Sequence, residues 1–110
     1  MYDTPEFQAL RREYLQGALD RVAHLKEHAH LLRNGALADL KELRQEIHKL
    51  RGSGGFYGFH ELSEAAARAE DTIILVLDEE LDRNDQQIAA LIDRVVETVN
   101  TAAAQAGLSS

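Results

Sequence analysis

Hydrophobic residues recur at intervals of three and four residues along four stretches of the chain, the spacing that places them on one face of an α-helix. The first stretch follows Thr4, which fits a helix cap, and Pro5, which fits the first helical position. It ends at Asn34-Gly35, a helix stop. The second helix is then predicted to start at about Ala36, fold back antiparallel and end by Tyr57-Gly58.

Two further helices are predicted in the second half of the chain. Apolar positions from Leu62 to Leu77 define the third, whose alanine-rich first half is expected to pack tightly against the second. Asn84 and Gln87 fit a capping box before the fourth helix, which ends near Gly107. Four amphipathic helices joined by short turns predict an all-α, antiparallel up-down four-helix bundle. Because we find no linker or internal repeat, residues 1–110 are expected to form a single domain.

Gly52, Gly54 and Gly55 interrupt the helical pattern near the end of the second helix. Each glycine costs a helix about 0.5–1 kcal/mol relative to alanine, so the three together cost roughly 2–3 kcal/mol. A cost of that size to helix stability predicts that some contact requires residues without side chains at these positions.

His48 lies on the second helix, about 120° on a helical wheel from the centre of the apolar face. It is therefore expected to face solvent. Side chains and glycines on the same side of the wheel are Lys41, Arg44, Gln45, Arg51, Gly52 and Gly55. An exposed imidazole is a nucleophile near neutral pH, the cations would favour an anionic group on it, and the glycines would let another protein's backbone come close.

The segment from His48 to Phe59, with the sequence HKLRGSGGFYGF, resembles the signature of histidine-containing phosphotransfer (Hpt) domains. That signature has a basic residue three positions after the histidine, glycine at four, a small residue at five and commonly glycine at seven and ten. The matching residues are His48, Arg51, Gly52, Ser53, Gly55 and Gly58. Arg51 replaces the commoner lysine, which keeps the charge but changes its shape. The ending Gly58-Phe59 looks especially like the phosphotransfer domain of chemotaxis histidine kinases, and the resemblance covers most of the chain.

The resemblance implies a phosphorelay carrier of the stand-alone, single-domain form. A receiver domain, including that of a hybrid histidine kinase, would pass a phosphoryl group from its phospho-aspartate to Nε2 of His48, which would return it to another receiver. Lys49, Arg51 and Arg44 would assist by electrostatics and positioning. The receiver would supply magnesium, so no intrinsic cofactor is expected. Because the sequence contains no ATP-binding segment, we predict that the chain is not an ATP-dependent kinase.

Glu70 occupies a position at which domains of the chemotaxis-kinase type carry a glutamate that hydrogen-bonds the phosphorylatable histidine. By this resemblance it would accept a hydrogen bond from Nδ1 of His48 and leave Nε2 free as the nucleophile. Ala67 stands where those domains often have a histidine, so only part of the network is expected. The alternative for Glu70 is an ordinary solvated helix position.

Two other functions compete with phosphotransfer. The first is a non-catalytic bundle of the same fold that docks a receiver or kinase, although family members that only dock typically lack the histidine. The second starts from His24 to His28, which fit the spacing H-x-x-E-H of some zinc peptidases. This pattern supplies two zinc ligands rather than three in an ordinary amphipathic helix, so solvated surface positions are expected for these histidines and no metal site is predicted.

The composition excludes several classes of chemistry and disfavours some classes of partner. The chain of 110 residues has 45% hydrophobic residues and no cysteine, which excludes disulfides, thiol catalysis and thiolate metal sites. Its net charge of −7 disfavours nucleic acid and anionic membranes as partners. No apolar run approaches the roughly eighteen residues needed to span a bilayer, and a cytoplasmic location is expected.

Overall fold

The computed structural model describes residues 4–36 and 38–108, which form four α-helices and, within those residues, no strand. The helices are α1 (Pro5–Arg33), α2 (Leu40–Phe56), α3 (His60–Leu77) and α4 (Asp85–Gln105). α1 packs against α4, α2 against α3, and α3 against α4. The predicted all-α, four-helix composition is therefore confirmed. None of the described helices is both long and apolar enough to cross a membrane.

The ends of α1 and the start of α4 follow the signals in the sequence. Thr4 caps α1 by accepting a hydrogen bond from the backbone N–H of Phe7 at 3.1 Å. Asn84 caps α4 in the same way, with the N–H of Gln87 at 3.0 Å from its Oδ1. In both cases a side-chain oxygen satisfies a backbone donor that the helix itself leaves without a partner.

The start of α2 was predicted wrongly: the helix begins at Leu40 and not at about Ala36. Ala36 still belongs to the closing turn of α1, where its N–H donates to the carbonyl of Leu31 at 3.0 Å. Asp39 then caps α2, because its Oδ1 accepts from the N–H groups of Lys41 at 3.0 Å and Glu42 at 3.2 Å. Leu37, which the predicted helix included, lies outside the described residues.

A continuous apolar core runs through the bundle and receives side chains from all four helices. Leu25, Ile47, Ile73 and Val95 are fully buried, one from each helix. The alanines in the first half of α3 that were predicted to allow close helix packing are also buried; they are Ala65, Ala66 and Ala69. Their small side chains let α3 lie close to its neighbours.

An aromatic cluster ties the end of α2 to α1. Tyr14 stacks on Tyr57 with ring centroids 4.8 Å apart and on Phe59 at 5.9 Å. Its hydroxyl lies 2.8 Å from Oγ of Ser53. Arg11 completes the link, since its Nε donates to the carbonyl of Tyr57 at 2.8 Å and its guanidinium lies over the Phe59 ring. The glycine-rich end of α2 is therefore held in place by α1.

Candidate functional site

His48 projects from the middle of α2 into solvent. The residue before it, Ile47, is fully buried in the core, whereas the His48 side chain is 63% exposed. Since adjacent helical residues point about 100° apart, burial of Ile47 turns His48 outward. A second protein can reach its imidazole directly.

Glu70 of α3 lies beneath this histidine and is only 2% exposed. Its Oε2 is 2.7 Å from Nδ1 of His48. Because an ionised carboxylate only accepts hydrogen bonds, the imidazole donates from Nδ1, and in the neutral ring Nε2 carries the lone pair. The structure thus brings together the two residues that the family resemblance had linked, and the contact occupies Nδ1 of His48.

Two arginines of α2 approach the same buried carboxylate. Arg51 donates from Nη1 to Oε1 of Glu70 at 3.1 Å and to Oδ1 of Asp71 at 3.2 Å. Nε of Arg44 lies 3.4 Å from Oε2 of Glu70. The hydrogen bond to Glu70, assisted by Asp71, raises the pKa of the Arg51 guanidinium. These cations offset the cost of burying a carboxylate.

The other polar residues of the predicted site lie on two different sides of α2. Lys41 and Gln45 are exposed and, with Arg44, line a groove of about 430 Å³ between α2 and α3. Lys49 instead lines a groove of about 540 Å³ beside Tyr14 of α1. Lys49, which was not among the residues predicted on the side of Lys41 and Arg44, thus lies on the α1 side of α2.

The three glycines of α2 have different surroundings. A Cβ atom on Gly54 would lie 3.2 Å from Cδ2 of Leu62, and one on Gly55 would lie 3.3 Å from Oγ of Ser63. Both glycines therefore allow α3 to approach α2. A Cβ on Gly52 would meet nothing within 4 Å. Of these three glycines, only Gly52 has no neighbour that explains the absence of a side chain.

The H-x-x-E-H segment on α1 forms no metal centre in the part of the chain that the structure describes, where no group of three or more histidine, cysteine, aspartate or glutamate side chains is placed to hold an ion. His24 is exposed, as expected. His28 is not a solvated surface residue: its side chain is 17% exposed, with Nε2 3.9 Å from Oε2 of Glu46. It belongs to the contact between α1 and α2.

A model of the Hpt domain family matches residues 9–104, a range that includes His48, Glu70 and most of all four helices. The chain belongs to the Hpt domain family. Hpt domains take part in histidine phosphotransfer within phosphorelays, where they interact with the receiver domains of response regulators. Neither the curated proteins nor the solved structures gave a match.

The sequence analysis did not identify Asp71, which the structure places in this Hpt site through its contact with Arg51. It shares the Arg51 guanidinium with Glu70 although its own side chain is 64% exposed. Its position next to Glu70 is a local signal, because consecutive acidic residues on α3 face a basic residue on α2. The pairing itself depends on how the two helices are set against each other, which the sequence pattern does not give.

Proposed function

We propose that this Hpt domain carries phosphoryl groups between receiver domains on Nε2 of His48. The observation that carries the proposal is the 2.7 Å contact between the exposed His48 ring and buried Glu70. In the forward step the Nε2 lone pair attacks the phosphorus of a receiver's phospho-aspartate. A N–P bond forms while the aspartyl O–P bond breaks, and the receiver's carboxylate leaves.

Glu70 supports this step electrostatically. As Nε2 bonds to phosphorus, positive charge develops on the imidazole ring, whose second nitrogen keeps its proton. The Glu70 carboxylate at Nδ1 stabilises that charge and holds the ring in one orientation. On return of the phosphoryl group to another receiver, the ring becomes neutral again with the proton still on Nδ1.

The receiver is proposed to dock on α2 around Gly52, one helical turn after His48. The open space above Gly52 supports this, since a receiver backbone could approach there without meeting a side chain. Lys41 and Gln45 are exposed on the α3 side of α2 and Lys49 on its α1 side, and all three are proposed to contact the receiver. The receiver would bring its own magnesium, so the Hpt domain needs no resident cofactor for this chemistry.

An antiparallel up-down order of the helices in a single cytoplasmic domain is part of this proposal. Residues 57–59 alone join α2 to α3, and the two helices pack against each other. A connection this short favours antiparallel neighbours. It would place buried Glu70 on the helix next to the one that presents His48 to the partner.

A bundle that docks without covalent chemistry is not favoured, because docking alone would not require a buried glutamate that orients an exposed imidazole. The test is incubation with a receiver phosphorylated on its aspartate. We expect the domain to acquire a phosphate that is labile in acid and stable in base, and to lose it when a second, unphosphorylated receiver is added. Binding of the receiver without any transfer of phosphate would support the docking function instead.

A further inference from the structure

Phe56, the last residue of α2, is the most exposed of the large hydrophobic side chains in the described part of the chain. It is 68% exposed, whereas Leu10, the next in order, is 48% exposed. An aromatic ring in water has a large apolar area that a partner can bury. Single exposed apolar residues are common on protein surfaces, so the position of Phe56 decides whether its exposure has a role.

Phe56 continues an exposed row that begins at His48. His48, Gly52 and Phe56 follow one another at intervals of four residues on α2, which places them on one side of the helix, and all three are exposed. At 1.5 Å per residue, the row from His48 to Phe56 is about 12 Å long. Gly52, in the middle of the row, has no side chain, and a Cβ placed there would meet nothing within 4 Å. One partner can therefore contact both ends of the row.

The ring of Phe56 contacts the aromatic cluster that joins α2 to α1. It meets Tyr57 edge to face, with ring centroids 5.0 Å apart and an angle of 85° between the planes. Tyr57 is itself stacked on Tyr14 of α1, and its carbonyl accepts a hydrogen bond from Arg11. A side chain that its neighbours already support loses less conformational entropy when a partner covers it. Phe56 is therefore suited to anchor an interface, a role in which aromatic residues are common.

A receiver that docks around Gly52 must also cover Phe56. His48 and Phe56 each lie about 6 Å from Gly52 along the helix, on opposite sides of it. A protein–protein interface typically covers roughly 800 Å² on each partner, which corresponds to a disc of about 16 Å radius. Both residues fall well inside such a disc centred on Gly52. The position of Phe56 thus makes the receiver, rather than a separate protein, its occupant.

We infer that Phe56 is the apolar anchor of the receiver-docking surface and that it selects receivers with an apolar patch about 12 Å from the phosphorylated aspartate. The inference rests on the proposed phosphotransfer function for the identity of the partner. At this distance from His48, Phe56 acts on specificity and not on the reacting atoms. A receiver with a charged side chain opposite the ring would have to bury that charge without a partner, so it would bind weakly.

The test uses a receiver domain that transfers phosphate to the wild-type protein or, if none does, one that binds it. Phe56→Ala should weaken receiver binding about tenfold or more. The receiver concentration for half-maximal transfer should rise by a similar factor, while the rate at saturating receiver stays within about twofold of wild type, since the variant keeps the contact between His48 and Glu70. Phe56→Leu keeps an apolar side chain and should recover part of the affinity.

The matched control is Leu81→Ala. Leu81 is also an exposed apolar residue, at 39%, but it follows the far end of α3, whereas Phe56 lies next to the start of that helix. The 18 residues of α3 separate the two positions by about 27 Å. Leu81→Ala should therefore bind the receiver as the wild type does. If Phe56→Ala is not folded at the assay temperature, Phe56→Gln keeps a long side chain beside Tyr57 and serves with the same expectation.

Unchanged affinity of Phe56→Ala would overturn the inference and leave phosphotransfer intact, as would a lower maximal rate at unchanged affinity. Analytical ultracentrifugation tests the other occupant: a wild-type dimer that Phe56→Ala dissolves would show that a second copy covers the ring, and would also overturn the inference. A receiver that binds through Phe56 but never phosphorylates His48 would instead contradict the proposed function while supporting this docking surface. The two failures are therefore distinguishable.

Discussion

Oε2 of Glu70 and Nδ1 of His48 are 2.7 Å apart, yet the two side chains differ sharply in exposure, at 2% and 63%. The carboxylate is fixed inside the α2–α3 contact and the imidazole is presented outside it. This arrangement gives the two ring nitrogens of His48 different surroundings. Nδ1 is held by Glu70, and Nε2 is the nitrogen proposed to carry the phosphoryl group.

Replacing Glu70 by alanine should therefore change the tautomer of His48. Without the acceptor at Nδ1, more of the neutral ring should carry its proton on Nε2, which removes the lone pair from the exposed nitrogen. We expect transfer from a phosphorylated receiver to be slowed but not abolished. Nitrogen-15 NMR of the imidazole, recorded on the same sample as the transfer assay, measures both effects.

The control for this prediction is Asp71→Ala. It removes a carboxylate that also contacts Arg51 but does not touch the imidazole. Its His48 tautomer should match that of the wild type. If Glu70→Ala leaves the nitrogen-15 spectrum of His48 unchanged, the contact does not determine the tautomer.

Gly52 and Gly54 should respond in different ways to an added side chain. Gly52→Ala should raise the free energy of unfolding by up to about 1 kcal/mol, since alanine is the better helix former and its Cβ meets no neighbour. Gly54→Ala makes the same gain but forces Leu62 to move, because the new Cβ would lie 3.2 Å from its side chain. Thermal melting should thus rank Gly54→Ala below Gly52→Ala.

A side chain at position 52 should impair phosphoryl transfer even where it raises stability. Gly52→Gln should leave the bundle folded while weakening receiver binding and slowing transfer, because a long side chain would stand between His48 and its partner. Wild-type transfer by Gly52→Gln would mean that this surface is not where the receiver docks. Unfolding of that variant would mean that Gly52 has a packing role.

Glu79 is the one residue other than glycine with a positive φ angle, 61°, among residues 4–36 and 38–108. It closes α3, where its N–H donates to the carbonyl of Val76 at 3.1 Å. A side chain in this left-handed conformation costs about 1 kcal/mol. Glu79→Gly should raise stability by that order, whereas Asp78→Gly, at a φ of −84°, should lower it. Equal effects of the two changes on the melting temperature would contradict this explanation.

Tyr14 makes stability depend on alkaline pH. Burial raises the pKa of its hydroxyl above the ordinary 10.0, against a smaller opposing effect of the hydrogen bond with Ser53. The folded protein thus holds this proton more tightly than the unfolded chain, so the contribution is complete below about pH 10 and is lost as pH rises further. Tyr14→Phe should be less stable by about 1 kcal/mol at pH 8, with a smaller difference at pH 11. Melting curves that differ equally at both pH values would exclude this role.

The apolar spacing and the cap residues predicted the four helices and most of their ends, because both signals act within one or two turns of chain. The start of α2 was missed although Asp39 and Glu42 have the spacing of a capping box. The prediction instead counted Leu37 with the apolar series that continues at Leu40, and so placed the start of α2 at about Ala36, which completes α1.

The sequence identified individual residues of the candidate site but not which of them contact one another. His48 and Glu70 were singled out by family resemblance. The cost within a helix pointed to Gly52, Gly54 and Gly55 alike and did not show that only Gly52 of the three lacks a neighbour. The division of the cations, with Arg44 and Arg51 at Glu70 and Lys49 on the α1 side, depends on the rotation of α2 against its neighbours. That rotation is set by contacts such as Gly54 with Leu62, which bring together residues distant in sequence.

The most direct test of the central claim is the position of the phosphate after transfer from a phosphorylated receiver. Mass spectrometry of peptides kept at alkaline pH should place one phosphate on His48, and His48→Gln should acquire none while keeping the wild-type helical circular dichroism spectrum. Phosphate on His24, His28, His30 or His60, or undiminished labelling of His48→Gln, would contradict the assignment of His48 as the phosphoryl carrier.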